Sequence, residues 1–236
     1  MREDVKRILD KTAKEYDFVS GVARIVRNGR PEDSREMAEL FEAAKYFGHM
    51  MVPNFVIDEE NVNAYTQAIR WLAGYDTFSG DLTKGLFISG NTGSGKSVLS
   101  RVLFLLSASY RFTFERTDQK EKTALVLSVR TESDILRSFQ KYGDIGQFRE
   151  HVLCIDDIGS ETQAVSYYGT RLSPIRELLE YRCDDRGIYT LVTSNYPLYN
   201  DTKNTLLNLY GERVLSRLKG AMNYLELIGK DRRIEK

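Results

Sequence analysis

The octapeptide Gly90-Asn91-Thr92-Gly93-Ser94-Gly95-Lys96-Ser97 constrains this 236-residue chain more than any other stretch, because it fits G-x-x-x-x-G-K-S in full. Its glycines let the backbone curl until successive N–H groups point inward at phosphates, and the helix that follows adds its positive end at the same place. Lys96 is then placed to reach β- and γ-phosphates, and the Ser97 hydroxyl to help hold Mg²⁺. The flanks agree with this reading. An apolar run at 85–89 precedes the loop, and SVLSRVLFLL follows it as an apolar helix. The expected cofactors are therefore ATP and Mg²⁺.

After the loop, apolar runs at 124–129, 152–155, 189–193 and 224–228 alternate with helical patterns at 132–142, 171–182 and 205–219. Near-continuous apolar strands between helices predict a mostly parallel sheet covered on both faces. The polar segment 111–122 reads as a solvated loop. Before the loop the pattern is helical. One stripe runs through Val5, Ile8, Leu9, Thr12, Tyr16 and Val19, and a second through Met37, Leu40, Phe41, Ala44 and Phe47. These helices either pack on the core or dock a partner, and residues 1–52 are assigned to docking, with a domain at 53–236. On that assignment a chain starting near Met51 keeps its fold and basal turnover and loses its partner. Asp58 is the expected cap of a further helix carrying Val62, Tyr65, Ile69 and Leu72.

Composition narrows the class. Thirty-four Lys+Arg balance thirty-four Asp+Glu, so a globally basic nucleic-acid coat is excluded while a local basic site is not. No apolar run approaches the ~18 residues of a membrane span, and the charged N-terminus lacks a signal-peptide core, which predicts a cytoplasmic protein. Cys154 and Cys183 are too few for a disulfide framework, and His49 and His151 lack metal-ligand spacing.

Three further motifs carry chemistry. The strand Val152-Leu153-Cys154-Ile155 ends in Asp156-Asp157. Asp156 suits a metal, directly or through water, and Asp157 suits polarisation of an attacking water. Glu161 in the next turn is a weaker candidate. Leu191-Val192-Thr193-Ser194-Asn195 ends a later strand and can bring the Asn195 amide beside a γ-phosphate. In Gly211-Glu212-Arg213-Val214-Leu215-Ser216-Arg217-Leu218 two arginines lie one helical turn apart. They form either a solvated basic face or an arginine finger for a neighbouring subunit.

Together GNTGSGKS, VLCIDDIGSE, LVTSN and YGERVLSRL resemble the AAA+ ATPases of the DnaC/IstB type, the replicative helicase loaders and transposition helpers. The resemblance spans about Pro53 to Arg233. It implies a three-layer P-loop core with a five-stranded parallel sheet behind a small helical region, and no C-terminal lid domain. It implies Walker A at 90–97, Walker B at Asp156 and Asp157, and sensor 1 at Asn195. Arg217 is the better match to the finger and Arg213 the second. It further implies assembly into a ring or spiral, a replicative helicase as partner, and single-stranded DNA running past Arg130, Arg137, Lys141 and Tyr142 and past 163–168, Ser166 and Tyr167 included. Aromatics beside basic groups suit single strands, although Tyr167 and Tyr168 pack equally well under their loop. A nucleotide or small-molecule kinase, or a binding scaffold with negligible turnover, shares the phosphate loop and stays open.

Overall fold

The computed structural model describes residues 23–160, 165–167, 170–184 and 187–232. Five parallel strands form the central sheet: β2 (Gly85–Ser89), β5 (Ser128–Thr131), β6 (Leu153–Ile158), β9 (Thr190–Ser194) and β10 (Met222–Glu226). Their order across the sheet is β10-β2-β9-β6-β5, with every pairing parallel. The expected α/β class and five-stranded sheet are therefore present.

Side-chain alternation along these strands builds two cores, since successive residues face opposite sides of a sheet. Leu86, Ile88, Cys154 and Leu191 point to one side, where α1 (Ser34–Met51), α2 (Val62–Ala73) and α3 (Lys96–Ser109) cover them. Phe87, Leu153, Ile155 and Val192 point to the other. There α4 (Glu132–Tyr142), α5 (Pro174–Arg182), α6 (Thr205–Tyr210) and α7 (Glu212–Ala221) close the third layer. Cys154 is buried, and desolvation pushes its thiol well above the ordinary range, as expected of an inert core cysteine.

Several boundaries differ from the sequence reading. The segment 111–122 is not a solvated loop. Phe112 and Phe114 are buried, and β3 (Thr113–Arg116) pairs antiparallel with β1 (Ile25–Val26) and β4 (Thr123–Ala124). The run at 124–129 splits because Leu125 and Leu127 turn inward between β4 and β5. The helix expected at 171–182 starts only at Pro174, whose ring suits a first turn, and residues 170–172 form β8 (Thr170–Leu172), paired with β7 (Val165–Tyr167). The helix expected at 205–219 breaks at Gly211, where φ is 83°. α4 falls where it was read, held by a capping box between Thr131 and Asp134. Asp58 does not cap α2; Asn61 precedes that helix, and the Asp58 carboxylate is engaged by Arg232 instead.

The second N-terminal stripe belongs to the core. Met37, Leu40 and Ala44 of α1 are buried in the cluster that holds Leu86 and Leu99, and Phe41 and Phe47 pack against it. An 18-residue helix sunk this way does not present its apolar face to a partner. Packing thus continues across the boundary drawn at 52/53. The first stripe, from Val5 to Val19, lies outside the described residues.

Candidate nucleotide-binding site

The phosphate loop joins β2 to α3. Gly93 and Gly95 have φ of 80° and 101°, left-handed values that only glycine adopts without strain, and Gly95 leads directly into the first residue of α3, Lys96. The Lys96 ammonium, in a residue 6% exposed, donates to Gly90 O at 2.8 Å, Asn91 O at 3.0 Å and Asn195 Oδ1 at 2.8 Å. It is thereby fixed at the mouth of the loop. Ser97, half-buried, lines the same cavity of about 660 Å³.

The two acids owe their placement to a bulge. Ile155 pairs with Val192 and Ile158 with Ser194, so two residues of β6 oppose Thr193 alone. Without that extra residue, neighbouring side chains would point to opposite faces. Asp157 absorbs the irregularity with φ of 62°, a left-handed value that Asp tolerates better than most residues. Thr193 serves both acids: its hydroxyl donates to Asp156 Oδ1 at 2.6 Å and accepts from the Asp157 N–H at 2.8 Å. Asp156 is buried against the sheet, whereas Asp157 faces the cavity.

Asn195 connects the acids to the loop. Its Oδ1 accepts from Lys96, and its Nδ2 donates to Asp157 Oδ1 at 3.1 Å. Side chains from the head of α3 and from the ends of the adjacent strands β9 and β6 therefore form one chain, Lys96–Asn195–Asp157. The three were singled out separately in the sequence, and the fold brings them together. Thr193 was missed, although it stands in the same LVTSN run. Its signal is a hydroxyl two residues before the amide, on the same side of the strand.

Val52, Pro53, Phe55 and Val56, from the loop that leaves α1, also line the cavity, as does Arg232. These apolar side chains suit a flat aromatic group better than a second charged one. The hard oxygens of Ser97 and Asp156 are of the kind Mg²⁺ takes, and Oδ2 of Asp156 lies outside the Thr193 bond. The residues present fit both groups.

Arg217 is at the other end of the sheet. It lines a second cavity, of about 500 Å³, together with Gly85, Thr190 and Met222, which are the first residues of β2, β9 and β10. A five-residue strand separates the two ends by roughly 15–17 Å at about 3.3 Å per residue. One copy therefore cannot bring Arg217 to its own phosphate loop. Its Nη2 lies 3.5 Å from Asp184, and its Nε, shielded from solvent, has no partner among the described residues. Cys183 also lines this cavity, with burial pushing its thiol up to about 12. Arg213 is 64% exposed and pairs with Glu180 of α5 at 3.4 Å.

Of the residues assigned to DNA, Arg137, Lys141 and Tyr142 are exposed on α4, and the Lys141 ammonium stands 4.9 Å from the Tyr142 ring centre. Arg130 is exposed at the end of β5. The backbone of Ser166 and Tyr167 lies in β7, beside α4; their side chains, and Glu161, lie outside the described residues.

No protein-family model and no curated protein matches the chain. Among solved structures it is similar to DnaI, with a TM-score of 0.50 and 17% identity, over 77% of this chain and 89% of that one. It is also similar to the DnaC helicase loader, with a TM-score of 0.41 and 20% identity, over 85% of this chain and 93% of that one. A third likeness is to domain III of the Thermotoga maritima replication initiation protein DnaA, with a TM-score of 0.48 and 18% identity, over 74% of this chain and 65% of that one. At 17% identity the likeness to DnaI is one of fold, a parallel sheet between two layers of helices.

Proposed function

We propose that this chain is a Mg²⁺-dependent ATPase whose copies assemble head to tail and load a replicative helicase onto single-stranded DNA. The observation that carries the ATPase reading is the chain Lys96–Asn195–Asp157, from the head of α3 across the ends of β9 and β6, beside a cavity of about 660 Å³. Residues 90–97 cradle the triphosphate, with Lys96 on its terminal groups. Ser97 and Asp156 would hold Mg²⁺, which neutralises charge on the phosphate oxygens when bound. Asp157 takes a proton from the attacking water, and Asn195 fixes the Asp157 carboxylate through Nδ2. Arg217 acts on a neighbour's site, because it stands at the opposite end of its own sheet. Contacts in which one copy's tail meets the next copy's head generate rings or open spirals.

The helicase and DNA part rests on the resemblance of the four motifs, and on the exposed Arg137, Lys141 and Tyr142. Residues 1–22 are the proposed docking segment. Phosphate release with and without single-stranded DNA, beside a panel of phosphate acceptors, tests the reading. Hydrolysis to ADP and phosphate that DNA stimulates is expected, lost in Lys96→Ala with binding and slowed about 10²–10⁴-fold in Asp157→Asn with binding kept. Transfer to an acceptor, or equal turnover in Asp157→Asn, contradicts it.

A further inference from the structure

Four charged residues are buried among the described residues, Lys96, Asp156, Arg182 and Glu132, and Glu132 belongs to none of the motifs. It opens α4, and three donors converge on its carboxyl group. Oε2 accepts from the Gly159 N–H at 2.9 Å and the Ser160 N–H at 3.2 Å, and Oε1 accepts from the Tyr210 hydroxyl at 3.0 Å. A buried carboxyl group needs such partners, and an apolar side chain of similar volume would fill the space at lower cost. What the carboxyl adds is a grip on Gly159 and Ser160. That grip bears on Asp157. Asp157 and Gly159 have φ of 62° and 85°, two left-handed residues in three. A non-glycine residue keeps such a backbone only where its surroundings over-determine it. On the β9 side Thr193 holds the Asp157 N–H at 2.8 Å; on the β5 side Glu132 holds the N–H groups two and three residues further on. The Ser160 hydroxyl closes the turn by donating to Asp157 O at 2.8 Å.

We infer that Glu132 is a positioning residue for hydrolysis: through the turn it grips, it fixes the direction in which the Asp157 carboxyl group faces the nucleotide cavity. The inference rests on the ATPase reading above, in which Asp157 takes a proton from the attacking water. Glu132 is not among the residues that line the cavity, so it acts on the reaction only through Asp157. A residue that merely held the fold together would behave differently. Its loss would weaken ATP binding and turnover together. A positioning role needs the reach of the side chain more than its charge, and it acts on turnover alone.

The test uses the full chain as wild type, E132Q, E132D, D157N and the double variant E132D/D157N. Phosphate release measures turnover and titration of a fluorescent ATP analogue measures affinity, both with Mg²⁺. Glutamine keeps the length, and its amide oxygen can accept from both N–H groups while its amide nitrogen faces the Tyr210 oxygen, so E132Q is expected to turn over within about threefold of wild type. Aspartate keeps the charge but falls one methylene short. E132D is expected to be about 10–100-fold slower with affinity within about twofold, the scale of a misplacement of roughly 1 Å. In the D157N background the same substitution should change turnover less than about twofold, because the group it aims is gone. E132Q slower than E132D overturns the positioning role, since charge would then matter more than reach. An E132D that is as fast as wild type, that fails to fold, or that loses affinity in step with turnover also overturns it, as does one that costs as much in D157N as in wild type. A wild type that does not hydrolyse ATP, or a D157N that matches it, defeats the ATPase reading instead.

Discussion

The two ends of the sheet are built differently. At the C-terminal ends of β2, β6 and β9 the polar side chains hold one another, and Lys96 makes three bonds at 2.8–3.0 Å to groups of its own chain. At the N-terminal ends of β2, β9 and β10, Arg217 has a single loose contact of 3.5 Å to Asp184 and a shielded Nε with no partner among the described residues. The first end is preorganised to receive a ligand. The second carries a cation that the described residues hold by one loose contact. An electrostatic group costs least in the transition state when it is already aimed, so the proposed finger needs a surface that aims it. In a head-to-tail assembly that surface is the first end of another copy.

The strongest test of this contrast separates Arg217 from Arg213. Arg217→Ala leaves ATP affinity unchanged and lowers turnover about 10³–10⁵-fold, the range of arginine fingers supplied in trans. Arg213→Ala removes only an exposed pair with Glu180 and changes turnover less than about tenfold. Steady-state phosphate release and ATP titration on both variants settle the order; a reversed order moves the finger to Arg213.

A smaller effect concerns the wall of the first end. Leu40 is fully buried, and α1 leads into Val52–Val56. Leu40→Ala is expected to lower stability by about 2–5 kcal/mol. Chemical denaturation measures this, and a chain starting near Met51 should melt far earlier than the full protein. Full stability after truncation would return α1 to a docking role.

The weakest effect is in acid. The Arg232 guanidinium holds the Asp58 carboxyl below its ordinary value of 3.8. The pair therefore stabilises the fold fully above 3.8, and the contribution is lost as the pH falls from there through the lowered folded-state value. The pair is partly exposed, so Asp58→Asn should cost no more than about 1 kcal/mol at neutral pH. The difference in melting temperature between wild type and Asp58→Asn should shrink as the pH falls below 3.8. A difference that does not change with pH assigns the effect to packing.

Contiguous features were legible in the sequence. The phosphate loop and the Thr131-capped α4 depend on neighbours along the chain, and each takes the local form its residues predicted. Features made by distant residues were not. The bulge that turns Asp157 into the cavity exists because Thr193 of β9 sits opposite two residues of β6, and nothing around Asp157 announces it. The pair of Arg232 with Asp58 joins residues 174 positions apart. The segment 111–122 reads as polar because its charges outnumber Phe112 and Phe114, although those two rings decide its burial. Likewise the stripe on α1 has the same period whether it covers a core or a partner, and only its packing distinguishes the two.

A working site that takes its two halves from two copies can be rebuilt from two broken chains. Lys96→Ala protein keeps the finger and lacks the cradle, whereas Arg217→Ala protein keeps the cradle and lacks the finger. With ATP, Mg²⁺ and single-stranded DNA present, each variant alone should be inactive, and a mixture of the two should recover hydrolysis, with most recovery near equal proportions. A mixture as inactive as its components, from a wild type that hydrolyses ATP, would contradict a site shared between copies.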